Sequence, residues 1–268
     1  MNGHEQNLTI AGGLAAATLA LLLVLASSAR AGERQISCLG RLEPGLGVVQ
    51  VASPSAGGGV IASLSVSEGD WVEANQILAT LDDHALRLAD LARITAELSN
   101  AKRDAERERR LAKQSVTSTA RLDAAEVGLR IARANVDAAQ ARLELTRVRA
   151  PIAAQILEIH ARPGERVGAL GVLELGDTHN MIAVAEVYET DIAAVKEGQR
   201  AIIRSSALAS PIMGVVAHVG LKVGRLDVLG TDPVAKADAR VIEVRIELEP
   251  HDAVSRLTNL QVEIEIER

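Results

Sequence analysis

Residues 122–143, LDAAEVGLRIARANVDAAQARL, place Leu122, Leu129, Val136 and Leu143 at strict seven-residue intervals. Ala125, Ala132 and Ala139 stand three residues after the first three of these. Upstream, Leu91, Leu98, Ala105 and Ala112 keep the same period, flanked by Ile94 and Ala101. A sustained seven-residue apolar repeat is the seam of a coiled coil, and alanine at many seam positions lets two helices approach closely. Arg103, Asp104, Glu106 and Arg130 fall outside the seam, as solvated faces require. The pattern predicts an antiparallel helical hairpin over residues 83–147, with Asp82 or Asp83 as N-cap. Each limb of roughly 28 residues would run about 42 Å.

The flanks of this insert resemble each other. Residues 53–83, SPSAGGGVIASLSVSEGDWVEANQILATLDD, alternate Val60, Ala62, Leu64 and Val66 with smaller or polar residues. They then turn at Glu68-Gly69-Asp70 and resume the apolar pattern at Val72, as a half-buried strand pair would. Residues 150–176, APIAAQILEIHARPGERVGALGVLELG, repeat the outline. Pro54 answers to Pro151, Val60-Ile61 to Ile156-Leu157, Glu68-Gly69 to Pro163-Gly164 and Val72 to Val167. Two strand–turn–strand halves predict a split lipoyl-like β domain over 46–82 and 148–178. No lysine sits on a tight turn between the halves, which argues against a biotin or lipoate carrier.

Beyond residue 179 short apolar runs (VIEVRIEL at 241–248, LQVEIEI at 260–266) are punctuated by Gly198, Pro211, Gly220, Gly224 and Asp232-Pro233. They predict a β-barrel over 179–268, joined by residues 35–45, with a short helix at 190–196. At the other end, Ile10 to Ala26 carries no charge. Residues 1–34 therefore read as an N-terminal membrane anchor or signal segment. Ala29-Arg30-Ala31 offers a cleavage site, whereas the absence of Lys and Arg from residues 1–9 runs against the positive-inside rule. The fold class expected is mainly β with an antiparallel coiled-coil hairpin, a split lipoyl-like domain, a β-barrel and an N-terminal anchor.

Composition restricts function. A net charge of −6, one Trp, one Tyr and no Phe leave little for nucleic acid to bind or stack on. Cys38, the only cysteine, excludes an internal disulfide. The six histidines have no metal-ligand spacing, Gly57-Gly58-Gly59 leads into a strand, and neither a nucleophile elbow nor a Walker motif occurs. No catalytic residue, metal site or cofactor is expected.

The order of anchor, half-lipoyl, hairpin, half-lipoyl and barrel resembles the HlyD-like periplasmic adaptors, or membrane fusion proteins. SEGDWVEANQILATLDD (67–83) resembles their first half-motif, with Asn75 where Gly is usual, and RAPIAAQILEIHARPGERV (149–167) their second. GTDPVAKADARVIEVRIEL (230–248) with LTNLQVEI resembles the subgroup serving DevB-type ABC exporters. The resemblance implies a non-enzymatic periplasmic subunit anchored to the inner membrane. It would form a homo-oligomer, a hexamer by analogy, linking an inner-membrane ABC exporter to a TolC-like outer-membrane channel. It also implies that Arg107, Leu111 and Ser118, at the family's tip spacing, dock the channel. Arg107 as a solvated residue, Leu111 as the last seam residue and Ser118 as an N-cap are the alternative roles. An adaptor for a proton-driven efflux pump, or an envelope scaffold using the hairpin to oligomerise, is the alternative function.

Overall fold

A computed structural model describes residues 35–55, 57–225, 240–250 and 252–268. The expected anchor at 1–34, and residues 230–239 of the DevB-like stretch, lie outside the described residues. Among the described residues no helix is long and apolar enough to cross a membrane.

The chain divides into two units, Pro44–Asn180 and a second unit combining the chain up to Glu43 with Met181–Arg268. In the first, β2 (Val49–Val51), β3 (Ile61–Leu64), β4 (Trp71–Val72) and β5 (Ile77–Leu81) precede the hairpin. β6 (Arg147–Arg149), β7 (Ala154–Ile159) and β8 (Leu173–Gly176) follow it. They form two sheets, ordered β2-β8-β7-β4 and β3-β5-β6, so each sheet mixes strands from both sides of the insert. Ile61, Val72, Leu78, Leu81, Ile156 and Leu173 are all within 1% of full burial in the shared core.

The internal repeat appears in the hydrogen bonds. Gly69 N–H donates to Ile156 O (2.9 Å) and Ile156 N–H to Asp70 O (2.9 Å). At one constant offset along the chain, Gly164 N–H donates to Ile61 O (2.8 Å) and Ile61 N–H to Glu165 O (2.9 Å). The turn carboxylates repeat too: Asp70 accepts from Ser67 N–H (2.8 Å), Glu165 from Arg162 N–H (2.9 Å). Gly69 and Gly164 have φ of 89° and 91°, a conformation L side chains rarely adopt. These bonds equate Ile61 with Ile156, one residue away from the match of Val60-Ile61 with Ile156-Leu157 made on residue type. A register shift follows Ile61 in the first half and Ile156 in the second, so the irregularity is itself part of the repeat. The bulge buries Ile61 completely and leaves Val60 only half-buried and Ala62 exposed, so the simple alternation expected from Val60 breaks there.

Between β5 and β6 rise α1 (His84–Lys113) and α2 (Thr119–Glu144). At about 1.5 Å per residue they reach roughly 45 and 39 Å. Their root is tied by His84 Nδ1 to Thr146 Oγ1 at 2.6 Å, with the threonine hydroxyl also donating to Leu143 O at 2.6 Å. Asp83 occupies the N-cap position of α1, but its carboxylate makes no capping bond and instead accepts from Arg87 Nε at 3.0 Å. A guanidinium one turn away outcompetes the backbone amides for that oxygen.

The second unit is a closed six-stranded barrel. It comprises β1 (Ile36–Pro44), β9 (Met181–Tyr188), β10 (Arg200–Arg204), β11 (Ile212–Arg225), β12 (Arg240–Leu248) and β13 (Gln261–Ile266). The strand order is β1-β13-β10-β11-β12-β9. Ile36, Cys38 and Leu42 alternate inward with Ala183, Ala185 and Val187, filling the core with small and branched side chains. Where Gly40 meets β9, a Cβ would lie 2.5 Å from Val184 O, so only glycine permits this strand approach. The helix expected at 190–196 is a single 3₁₀ turn, Ile192–Ala194. Only one turn fits before Gly198, at φ 88°, redirects the chain into β10.

Candidate functional site

The hairpin tip joins the last turns of α1 to the start of α2 through residues 114–118. Its turn is set by the backbone. Ser115 adopts φ 57°, its N–H donates to Ala112 O at 3.0 Å, and Val116 N–H donates to Leu111 O at 2.9 Å. This pair of bonds is the helix-terminating motif normally built on glycine. Serine fills the left-handed position here. Across the turn Ser118 is extended (φ −81°, ψ 151°) and its Oγ accepts from Arg121 N–H at 3.3 Å, capping α2. Thr117 Oγ1 donates to Glu108 Oε2 at 2.7 Å, and Arg109 Nε pairs with Glu126 Oε1 at 3.2 Å across the two helices.

The sequence-selected tip residues are placed as follows. Arg107 has its side chain 62% exposed and, among the described residues, pairs only with Asp104 on its own helix, at 3.2 Å. Leu111 lies one turn further along the same face and is half-buried. Ser118 is exposed and serves as the N-cap of α2. Arg107 and Leu111 share a helix face by their i,i+4 spacing, and Ser118 opens the next helix at the same end. Sequence reasoning missed Val116, which stands 67% exposed at the apex. An apolar residue within a turn has no periodic partner to flag it.

Along the seam Leu129, Val136, Ala139 and Leu143 of α2 are buried, as are Ile94 and Ala105 of α1. Leu91 and Leu98 pack on this cluster while partly exposed, and Leu122, nearest the tip, is half-buried. Along α2, seam burial thins toward the apex, from Leu143, Ala139, Val136 and Leu129 to Leu122.

Two polar clusters outside the hairpin escaped the sequence reading. On the barrel, Arg41 Nη1 holds Glu186 Oε1 at 2.9 Å and Nη2 holds Glu243 Oε1 at 3.1 Å, while Nε contacts Glu43. Glu186 is 1% exposed although it lies on the outward-facing register of β9. Burial, reinforced by the Glu186 charge, pushes the Cys38 thiol up to about 12, so it remains a neutral thiol at physiological pH. In the β7–β8 sheet, Glu158 and Glu174 are directly paired across strands, and His160 Nε2 lies 3.2 Å from Glu174. One ligand atom each from Glu158, His160 and Glu174 falls within 4.8 Å of the others. Cross-strand pairing creates this grouping, which linear spacing among histidines cannot reveal.

Comparison with known proteins places the hairpin first. The family described as "RND MFP, alpha-helical hairpin domain" matches residues 84–149. Over 177 residues the chain is 29% identical to the multidrug resistance protein MdtA of Salmonella typhimurium, covering 59% of this chain and 43% of MdtA. Over 176 residues it is 27% identical to YdhJ of Escherichia coli K12, covering 60% of this chain and 61% of YdhJ. The chain thus spans about half the length of these curated relatives. A crystal structure of a MacA-MexA chimera containing the Pseudomonas aeruginosa MexA hairpin superposes with TM-score 0.71. Identity is 21%, with 88% of this chain and 82% of the chimera covered. The membrane fusion protein Spr0693 of Streptococcus pneumoniae R6 gives TM-score 0.66 at 16% identity, covering 87% and 98%. The hairpin is similar to the membrane-fusion-protein hairpin domain, and the fold around it is the fold of these solved structures.

Proposed function

We propose that the chain is a periplasmic adaptor subunit, anchored by its N-terminal apolar run, that couples an inner-membrane exporter to a TolC-like outer-membrane channel. The observation that carries this reading is the hairpin itself. It is a stalk of roughly 45 Å, rooted in a closely packed β-sandwich, whose apex presents Arg107, Leu111 and Ser118 together with Val116. Nothing in that apex performs bond chemistry. It offers a guanidinium fork for carbonyls or carboxylates, two apolar contacts and a hydroxyl, which are the parts of a docking surface. The subunit's contribution is mechanical: it spans, seals and positions, while the energy comes from the transporter.

For the transporter, the DevB-like C-terminal stretch supports an ABC exporter. A proton-driven pump is the second reading, supported by the RND description of the hairpin family. Co-purification of the permease separates these two.

The docking role is tested by photo-cross-linking in cells, with the probe at Leu111 and a control probe at buried Val136. An adduct with an outer-membrane channel at Leu111 alone is expected. Absence of that adduct, with the channel co-expressed and the adaptor exposed to the periplasm, overturns the docking role and leaves a scaffold.

A further inference from the structure

The two halves of the β-sandwich differ at one pair of positions. After the bulge in the first half, Ser63 pairs with Thr80, and their hydroxyls share a hydrogen bond. After the bulge in the second half, Glu158 pairs with Glu174. Regular pairing continued from Ile156 and Leu175 would set Leu157 opposite Glu174, and the register shift sets Glu158 there instead. The fold therefore accepts a neutral pair at this place, yet the second half has two carboxylates. Like charges directly opposite destabilise a sheet. Among the described residues neither glutamate pairs with a Lys or Arg, and the ionisable neighbour of both is His160. The imidazole stands between the carboxylates, Nε2 3.2 Å from Glu174 Oε1 and Nδ1 3.8 Å from Glu158 Oε1. Its backbone is fixed as well, since the His160 and Ala161 N–H groups both donate to Val172 O, at 2.9 and 3.1 Å. From β2, Gln50 Nε2 donates to Glu174 Oε1 at 3.4 Å.

We propose that Glu158, His160 and Glu174 bind a divalent transition-metal ion, zinc by the chemistry of the set. One imidazole and two carboxylates are the nitrogen and oxygen ligands that zinc takes, whereas calcium or magnesium calls for more oxygens. Tetrahedral zinc holds such ligands at about 2.0–2.2 Å, hence roughly 3.3–3.6 Å from one another. The two separations from His160, 3.2 and 3.8 Å, lie on either side of that spacing. One ligand atom from each of the three residues falls within 4.8 Å of the others. His160 and Glu174, with side chains 11% and 21% exposed, supply the fixed part of the site. Glu158, 65% exposed, closes the remaining gap by rotating. Gln50 orients Glu174 from behind, as outer partners of metal-bound carboxylates do. The ion would neutralise the facing carboxylates and tie β7 to β8. It takes, in the second half, the place of the hydrogen bond that Ser63 and Thr80 make in the first. Nothing in this inference depends on docking at the hairpin tip.

The experiment uses the full chain in detergent, stripped with EDTA and titrated with zinc chloride against a chromophoric zinc indicator. The unaltered chain should bind zinc, and His160→Asn and Glu158→Gln should each weaken the site at least about tenfold. Glu158 is exposed, so its variant carries the test even if His160→Asn fails to fold. His218→Asn removes an exposed histidine that lies 3.3 Å from a single carboxylate, Glu197, and should leave the affinity unchanged. Stability supplies a second readout. Without zinc, Glu158→Gln should unfold at higher denaturant than the unaltered chain, because one of two facing charges is gone. With zinc in excess the order should reverse, because only the unaltered chain keeps all three ligands. Amide exchange over residues 154–159 and 173–176 should slow on adding zinc. Zinc affinity unmoved by His160→Asn and Glu158→Gln overturns the site. So does the absence of any zinc binding, which leaves His160 alone to answer the two carboxylates. The same order of stabilities with and without zinc overturns the tie between β7 and β8.

Discussion

Sandwich and hairpin belong to one unit, yet they bury their apolar residues very differently. The sandwich closes on itself: Ile61, Val72, Leu78 and Leu173 are fully enclosed by strands from both halves of the repeat. The hairpin cannot do so. Two helices in contact cover one face each, and here α2 exposes a second apolar face along its whole length. The difference separates a part whose apolar residues folding encloses from a part that leaves a stripe of them, Val127, Ile131 and Leu145 among them, exposed. A monomer rarely leaves such a stripe in water without a partner for it.

The largest effect expected from this contrast is in the sandwich. Ile156→Ala removes a side chain 1% exposed, beside the bond that links the two halves. It should cost about 3 kcal/mol in denaturant unfolding. A loss under about 1 kcal/mol would mean that the sandwich relaxes around the gap and is not a closely packed root.

Leu129→Ala comes next, at about 2 kcal/mol, because a two-helix seam has fewer neighbours to lose than a sheet core. Its expression should be local. Amide exchange across residues 119–144 should accelerate while the sandwich strands keep their protection. If both regions accelerate together, hairpin and sandwich unfold as one and the contrast collapses.

Legibility in the sequence follows the same divide. The seam at Leu122, Leu129, Val136 and Leu143 was readable because a seven-residue period persists over several turns. The halves at 53–83 and 150–176 were recognisable as repeats, but their register was not. The hydrogen bonds at Ile61 and Ile156 set it, and they do not follow residue type. At the tip, residue spacing singled out Arg107, Leu111 and Ser118, while the left-handed Ser115 and the exposed Val116 gave no periodic signal. Nothing in the sequence marks Glu186 as buried, because alternation does not report what covers a face. The exposed stripe of Val127, Ile131 and Leu145 is also present in the letters, but one apolar stripe already explains a hairpin.

Ser118→Ala probes the apex at about 1 kcal/mol, the usual value of an N-cap hydroxyl. Exchange in the first turn of α2 should rise. If channel cross-linking at Leu111 falls as well, while Ser118→Asp restores the cap but not the cross-link, the hydroxyl has a docking role separate from capping.

The smallest effect has the opposite sign. Ser115 sits at φ 57°, where a side chain carries a steric penalty of about 1 kcal/mol that glycine avoids. Part of that gain is lost to glycine's freedom in the unfolded chain. Ser115→Gly should therefore stabilise the tip by roughly 0.5 kcal/mol, read as slower exchange at Val116, whose N–H closes the turn onto Leu111. Channel cross-linking should not change if serine is there only by tolerance. Should the more stable turn dock less well, the strain at Ser115 is part of how the apex presents Val116.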